Sequence, residues 1–199
     1  VFAQDEVALS PTLKATLGVK LERNHYTGLE HLPNLRLAWT PGSRHLVWGS
    51  LARSVRAPSR IDRDLYSPTS GVPRFNIAGG PGFVSEVVKV AELGYRSQAS
   101  DAFSYSVTAF YGDCDKLRTL EPRAQGGSVF SNLGEGTGKG VEAWWRWQPV
   151  ARWRLSGGVV AQDIARSFKP QSLDASAGTG LANNDARRQW FLRSYFDLS

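Results

Sequence analysis

Apolar and polar residues alternate with a period of two along most of this chain, which is the mark of half-buried β-strands. The clearest stretch is 103–111, where Phe103, Tyr105, Val107, Ala109 and Tyr111 share one face and Ser104, Ser106 and Thr108 the other. Residues 13–22 set Leu13, Ala15, Leu17, Val19 and Leu21 against Lys14, Thr16, Gly18, Lys20 and Glu22. Residues 139–148 set Val141, Ala143, Trp145 and Trp147 against Glu142, Arg146 and Gln148. The alternation predicts an all-β chain, an antiparallel meander of about nine long strands near 1–9, 12–25, 32–40, 45–57, 85–97, 101–119, 137–149, 151–166 and 186–198. In the fourth strand two sets compete for the apolar face: Val47, Leu51 and Val55 against Leu46, Trp48 and Ala52.

The connections are of two kinds. Short turns are expected at Leu9–Thr12, Thr40–Arg44, Ser97–Ser100 and Gln148–Ala151, all rich in turn formers. Long loops rich in Gly, Pro, Ser and Asn are expected at 58–84, 120–136 and 167–185, with a modest link near 26–31. Short turns on one rim and long loops on the other are how outer-membrane barrels are built.

Strand length and aromatic placement separate a barrel from a soluble sandwich, which also alternates. Several stretches reach the ~9–11 tilted residues needed to cross a bilayer. Trp39 and Trp48 flank one short turn, Tyr95 and Phe103 a second, Trp147 and Trp153 a third, as an interfacial girdle would. The competing reading plugs the end of a sandwich core with them, and must then bury seven Trp in 199 residues. Lys14, Arg36, Glu92, Arg96, Glu142, Arg146 and Arg193 gather on the opposite face, as in a water-filled lumen. Arg23 and Lys89, on the apolar parity, lie near loop-side ends, where long stems reach the interface. Asp5, on the same parity, has no such explanation.

Composition agrees with this picture. Mean hydropathy is −0.31 and no apolar run is long enough for a membrane helix, while barrel strands average out as moderately polar. The formal net charge of +6 would permit a nucleic-acid partner, but the Arg residues are scattered and form no basic block, so none is expected. The single Cys114 cannot form an internal disulfide, and His25, His31 and His45 show no ligand spacing, so neither metal nor cofactor is expected. None of the three His is placed to serve as a base for a Ser or Thr nucleophile, and an enzyme is not expected. The chain opens at Val1 and contains no Met, which is expected of a fragment or a processed product.

Three stretches carry a family resemblance: 32–60, ending in Arg56-Ala57-Pro58-Ser59; 85–119, with Glu92-Leu93-Gly94-Tyr95-Arg96 and then Phe110, Tyr111, Asp115, Leu117 and Arg118; and 138–159. In order and spacing they resemble the β-barrel of TonB-dependent outer-membrane receptors; Cys114, where that family often carries an aromatic residue, departs from the pattern and is read as incidental. The resemblance implies a 22-stranded transmembrane barrel in a Gram-negative outer membrane, surrounding a plug domain and energised through TonB. Residues 1–199 would then be a partial barrel, with the plug absent. The implied function is energy-dependent uptake of a scarce nutrient such as a ferric siderophore. Alternatives are a soluble carbohydrate-binding β-sandwich, with Trp as stacking platforms, and a plain porin.

The 58–84 loop carries the candidate ligand residues: Arg60, Arg63, Tyr66 and Arg74, with Arg56 just before it. A cationic, aromatic-bearing mouth would suit a small anionic ligand or metal chelate. The plainer reading is that these charges pair locally or face lipopolysaccharide, and both readings stay open on sequence alone.

Overall fold

The computed structural model describes residues 1–175 and 185–198, and these contain one eleven-stranded sheet in which nine strands pair antiparallel in sequential order. They are β1 (Phe2–Ser10), β2 (Leu13–Asn24), β3 (Gly28–Gly42), β4 (His45–Arg56), β7 (Glu86–Ser100), β8 (Phe103–Pro122), β9 (Ser128–Val150), β10 (Trp153–Phe168) and β11 (Arg188–Phe196). The link between β4 and β7 holds a short helix, α1 (Arg60–Asp64), and a small ladder of β5 (Tyr66–Pro68) with β6 (Phe75–Ala78). β6 pairs in parallel with the start of β9, Ile77 opposite Ser128 and Ala78 opposite Val129. The sheet is open at β1 and β11, as part of a larger barrel would be.

Register gives each face its character. Leu13, Trp39, Val47, Tyr95, Val107 and Ala143 stand opposite one another across successive strands, so they share a face. The next row on that face is Ala15, Leu37, Gly49, Leu93, Ala109 and Val141. Arg36, Ser50, Glu92 and Phe110 form a row on the other face, where Ser50 donates to Glu92 at 2.7 Å. Among the described residues the buried apolar side chains are Ala78, Phe83 and Val129, all at the loop end, whereas Leu37, Leu51, Leu93, Val141 and Trp190 are exposed. No second layer covers the apolar face there, which is the opposite of a sandwich.

The height of this face fits a bilayer. Along β8, Phe103 and Asp113 lie on the apolar parity ten residues apart. That is about 33 Å at about 3.3 Å per residue, or about 25 Å vertically with a strand tilt of about 40°. Lys89 stands directly opposite Asp113, so charge returns to this parity at the same height.

Two expectations about connections are corrected. Residues 120–136 form no long loop: β8 continues to Pro122, β9 begins at Ser128, and a five-residue turn with Gly126 and Gly127 at positive φ joins them. The Gly- and Ser-rich composition suggested a loop, but Thr119, Leu120 and Glu121 pair with Ser131, Phe130 and Val129 in an extended hairpin. The expected turn at 97–100 lies further on, since β7 runs to Ser100 and pairs there with Phe103. Part of the expected 167–185 loop, residues 176–184, lies outside the described residues.

Candidate functional site

The long-loop rim is organised around one carboxylate. Ser59 has an extended backbone (φ −86°, ψ 170°) and caps α1, and Asp62 three residues later completes a capping box. The Asp62 side chain accepts from the Ser59 N–H at 2.9 Å and the Ser59 hydroxyl at 2.9 Å. It is 0% exposed and also receives Arg56 from β4 at 2.9 Å and Arg118 from β8 at 3.3 Å. Glu86 closes the ring, accepting from Arg56 Nε at 2.6 Å through one oxygen and from the Arg118 N–H at 2.8 Å through the other. The end of β4, α1, the start of β7 and β8 are thus tied by alternating charges. Burial opposes ionisation of Asp62, but the Ser59 N–H, Arg56 and the Ser59 hydroxyl outweigh it, holding the carboxyl below the usual aspartate range.

The same rim has two further ties. Tyr26, in the β2–β3 turn, donates to Asp64 at 2.6 Å, and this hydrogen bond, more than burial, pushes the phenol up from its ordinary pKa. The Arg63 guanidinium lies over the Tyr26 ring at 5.3 Å and donates to the Phe83 carbonyl at 2.7 Å. Asn132 on β9 accepts from the Val84 N–H at 2.7 Å and donates to the Lys116 carbonyl at 2.7 Å, pinning the end of the loop to β8 and β9.

The candidate residues therefore divide. Arg56 and Arg63 are engaged in internal bonds of the loop, as local pairing would have them. Arg60 is open, its side chain 91% exposed and 3.8 Å from Asp64. Tyr66 packs near Phe75, with ring centroids 5.9 Å apart, and its hydroxyl donates to the Arg74 carbonyl at 3.2 Å. Arg74 lines a notch together with Arg123 and Gln125 from the β8–β9 turn, two residues that the sequence does not bring near the 58–84 loop. The Ser59/Asp62 capping spacing was the one readable sign of the carboxylate hub.

At the other rim, Trp39, Tyr95, Phe103, Trp147 and Trp153 lie on the apolar parity, joined by Tyr105 and Trp145, which face each other in the register. Trp48 does not belong with them. It pairs with Ala38 and Gly94 on the charged face, and its indole occupies the space above Gly94, where an added Cβ would meet it at 2.2 Å. Val47 takes the apolar parity in its place, because β4 follows the Val47–Leu51–Val55 set. Trp144, also on the charged face, lies 5.6 Å beneath Arg96.

Comparison with known proteins agrees with this architecture. No curated protein matches the chain. The siderophore receptor PirA from Pseudomonas aeruginosa is similar over 82% of this chain and 33% of its own, at 20% identity and a TM-score of 0.69. PirA from Acinetobacter baumannii is similar over 100% of this chain and 31% of its own, at 12% identity and a TM-score of 0.74. The FrpB iron transporter of Neisseria meningitidis is similar over 99% of this chain and 30% of its own, at 17% identity and a TM-score of 0.73. The chain thus spans about a third of each of these proteins. The model of the family described as TonB-dependent receptor-like, beta-barrel, matches residues 1–196, and the chain belongs to that family.

Proposed function

We propose that this chain forms part of the wall and outer loops of a Gram-negative outer-membrane receptor that takes up a scarce nutrient, such as a ferric siderophore, with energy delivered through TonB. The observation that carries this reading is the two-faced single layer: an exposed apolar surface about as tall as a bilayer core, with a charged surface behind it. The ordered loop rim, tied together by Asp62, supports ligand capture at that end. The similar solved structures are named as siderophore receptors and an iron transporter, which points to iron chelates before other cargo. In this reading residues 1–199 are one portion of a larger barrel, which surrounds a plug domain outside this chain.

The test is genetic and biochemical. A strain lacking the gene that encodes this chain is starved of iron and supplied with single ferric chelates. Loss of uptake of one chelate, restored by the gene and abolished again without TonB, is the expected result. Uptake that persists without TonB would indicate a passive pore, and full extraction of the protein into buffer without detergent would overturn the membrane reading altogether.

A further inference from the structure

We infer that the short-turn rim carries, on the apolar face of the sheet, a site for one phospholipid: the headgroup phosphate meets His45 and Arg44, and an acyl chain lies in the slot beside Tyr105 and Trp145. This rests on the outer-membrane reading and names a lipid partner at the rim away from the long loops.

The site follows one line of the register. His45 pairs with Ser97, Ser97 with Tyr105, Tyr105 with Trp145, Trp145 with Gly157 and Gly157 with Leu192. These six residues therefore stand side by side on the apolar face, polar at the β4 end and apolar at the β11 end. Polar groups on such a face need partners, and these find them in one another. The Tyr95 hydroxyl lies 2.8 Å from His45 Nδ1, and Ser97, only 2% exposed, brings its hydroxyl within 3.5 Å of the same nitrogen. The Tyr95 ring runs nearly parallel to the imidazole, at 13°, and meets Tyr105 edge-on with centroids 5.8 Å apart.

One donor is left over. Both hydroxyls can donate to Nδ1, which places the ring proton on Nε2. No hydrogen bond reaches Nε2 among the described residues, and His45 is exposed. Arg44, next in the chain, pairs with Asp101 at 3.0 Å, but that carboxylate is 95% exposed, and such a pair holds its guanidinium loosely. An imidazole N–H and an arginine fork at headgroup depth suit the oxygens of a phosphodiester. Tyr105 also borders a cavity of about 430 Å³ that extends past Trp145, Val159, Trp190 and Leu192. The Trp145 indole fills the space above Gly157, where an added Cβ would meet it at 2.8 Å, and forms one wall of that cavity. Its lining climbs from Phe103, the first residue of β8, to Val159 in the body of β10, the direction an acyl chain takes from a headgroup at the rim. A free phosphate would leave the slot empty, and a hydrocarbon without phosphate would leave the His45 donor unpaired.

The experiment titrates dipalmitoyl phosphatidylglycerol into the purified, detergent-solubilised receptor that carries this chain and counts bound lipid by native mass spectrometry. Dipalmitoylglycerol (chains without phosphate) and glycerol 3-phosphate (phosphate without chains) are the comparison probes. One phosphatidylglycerol is expected to stay bound at concentrations where neither probe does. H45F, which keeps a ring but no donor, and R44Q should each weaken it about tenfold or more, the scale of one charged hydrogen bond. H45Q, which restores an N–H, should recover part of the affinity. L192W, which fills the slot, should weaken binding with both phosphate donors in place, and R60Q, at the opposite rim, should leave it unchanged. Dipalmitoylglycerol binding as tightly as the phospholipid, or unchanged affinity in either H45F or R44Q, overturns the site. Chelate uptake measured on the wild type separates the two claims. Uptake without a retained phospholipid removes the site and leaves the receptor; His45-dependent lipid binding without any chelate uptake does the reverse.

Discussion

The Trp48 indole stands over Gly94 on the charged face, filling the space that a side chain at position 94 would take. Two neighbouring strands thereby share one volume, large residue against none. G94A would place its Cβ 2.2 Å from the indole and force it off the strand. The expected cost is about 1–3 kcal/mol of overpacking, with a red shift in Trp emission as the ring moves toward water. Unchanged emission and melting temperature would show that the ring moves aside freely.

Asp62 unites Arg56, Arg118 and the cap of α1. D62N keeps the shape but removes the charge, and should lower the local opening free energy of residues 57–85 by about 1.5–3 kcal/mol. Hydrogen exchange at Gly80, whose N–H donates to the Asp62 carbonyl at 2.9 Å, reports this directly. Exchange as slow as in the wild type would mean that the hub does not hold the loop.

The same carboxylate sets an acid limit on loop order. Its folded pKa is lowered beneath the ordinary value of 3.8, so its contribution is complete above that value and is lost as pH falls through the lowered one. Protease sensitivity of residues 57–85 should therefore stay flat from neutral pH down to about 4 and rise only below it. A rise centred between pH 5 and 7 would place the controlling group elsewhere.

The two faces of the sheet make opposite demands on charge. Leu93, 62% exposed and opposite Ala109 on the apolar parity, is expected near the bilayer midplane. L93R should cost about 2–4 kcal/mol in a lipid refolding titration. E142R, on the charged face opposite Thr108, should cost under about 1 kcal/mol in wet surroundings. Equal costs for the two would contradict the assignment of faces.

The strands themselves were legible in the chain because side-chain direction in a strand is local: a period of two, held for ten residues, commits Phe103 through Tyr111 to alternate faces whatever lies beside them. Turn chemistry separated one strand from the next, and the nine-strand meander follows from those two signals. The family resemblance was legible for the same reason, since its motifs sit within those strands.

What the sequence left open, the tertiary structure decided through register and long-range pairing. In β4 two apolar sets competed, and only alignment with Trp39 on one side and Tyr95 on the other selects Val47 and turns Trp48 to the charged face. Residues 120–136 resembled a loop in composition, and partners on the facing strand make them a hairpin. Arg56 and Arg74 were equal candidates as residue types. Asp62 and, from thirty residues away, Glu86 occupy the first, while the β8–β9 turn brings Arg123 beside the second. Alternation is a property of the backbone alone, but a charge is committed or free only by what the fold places within a few ångströms of it.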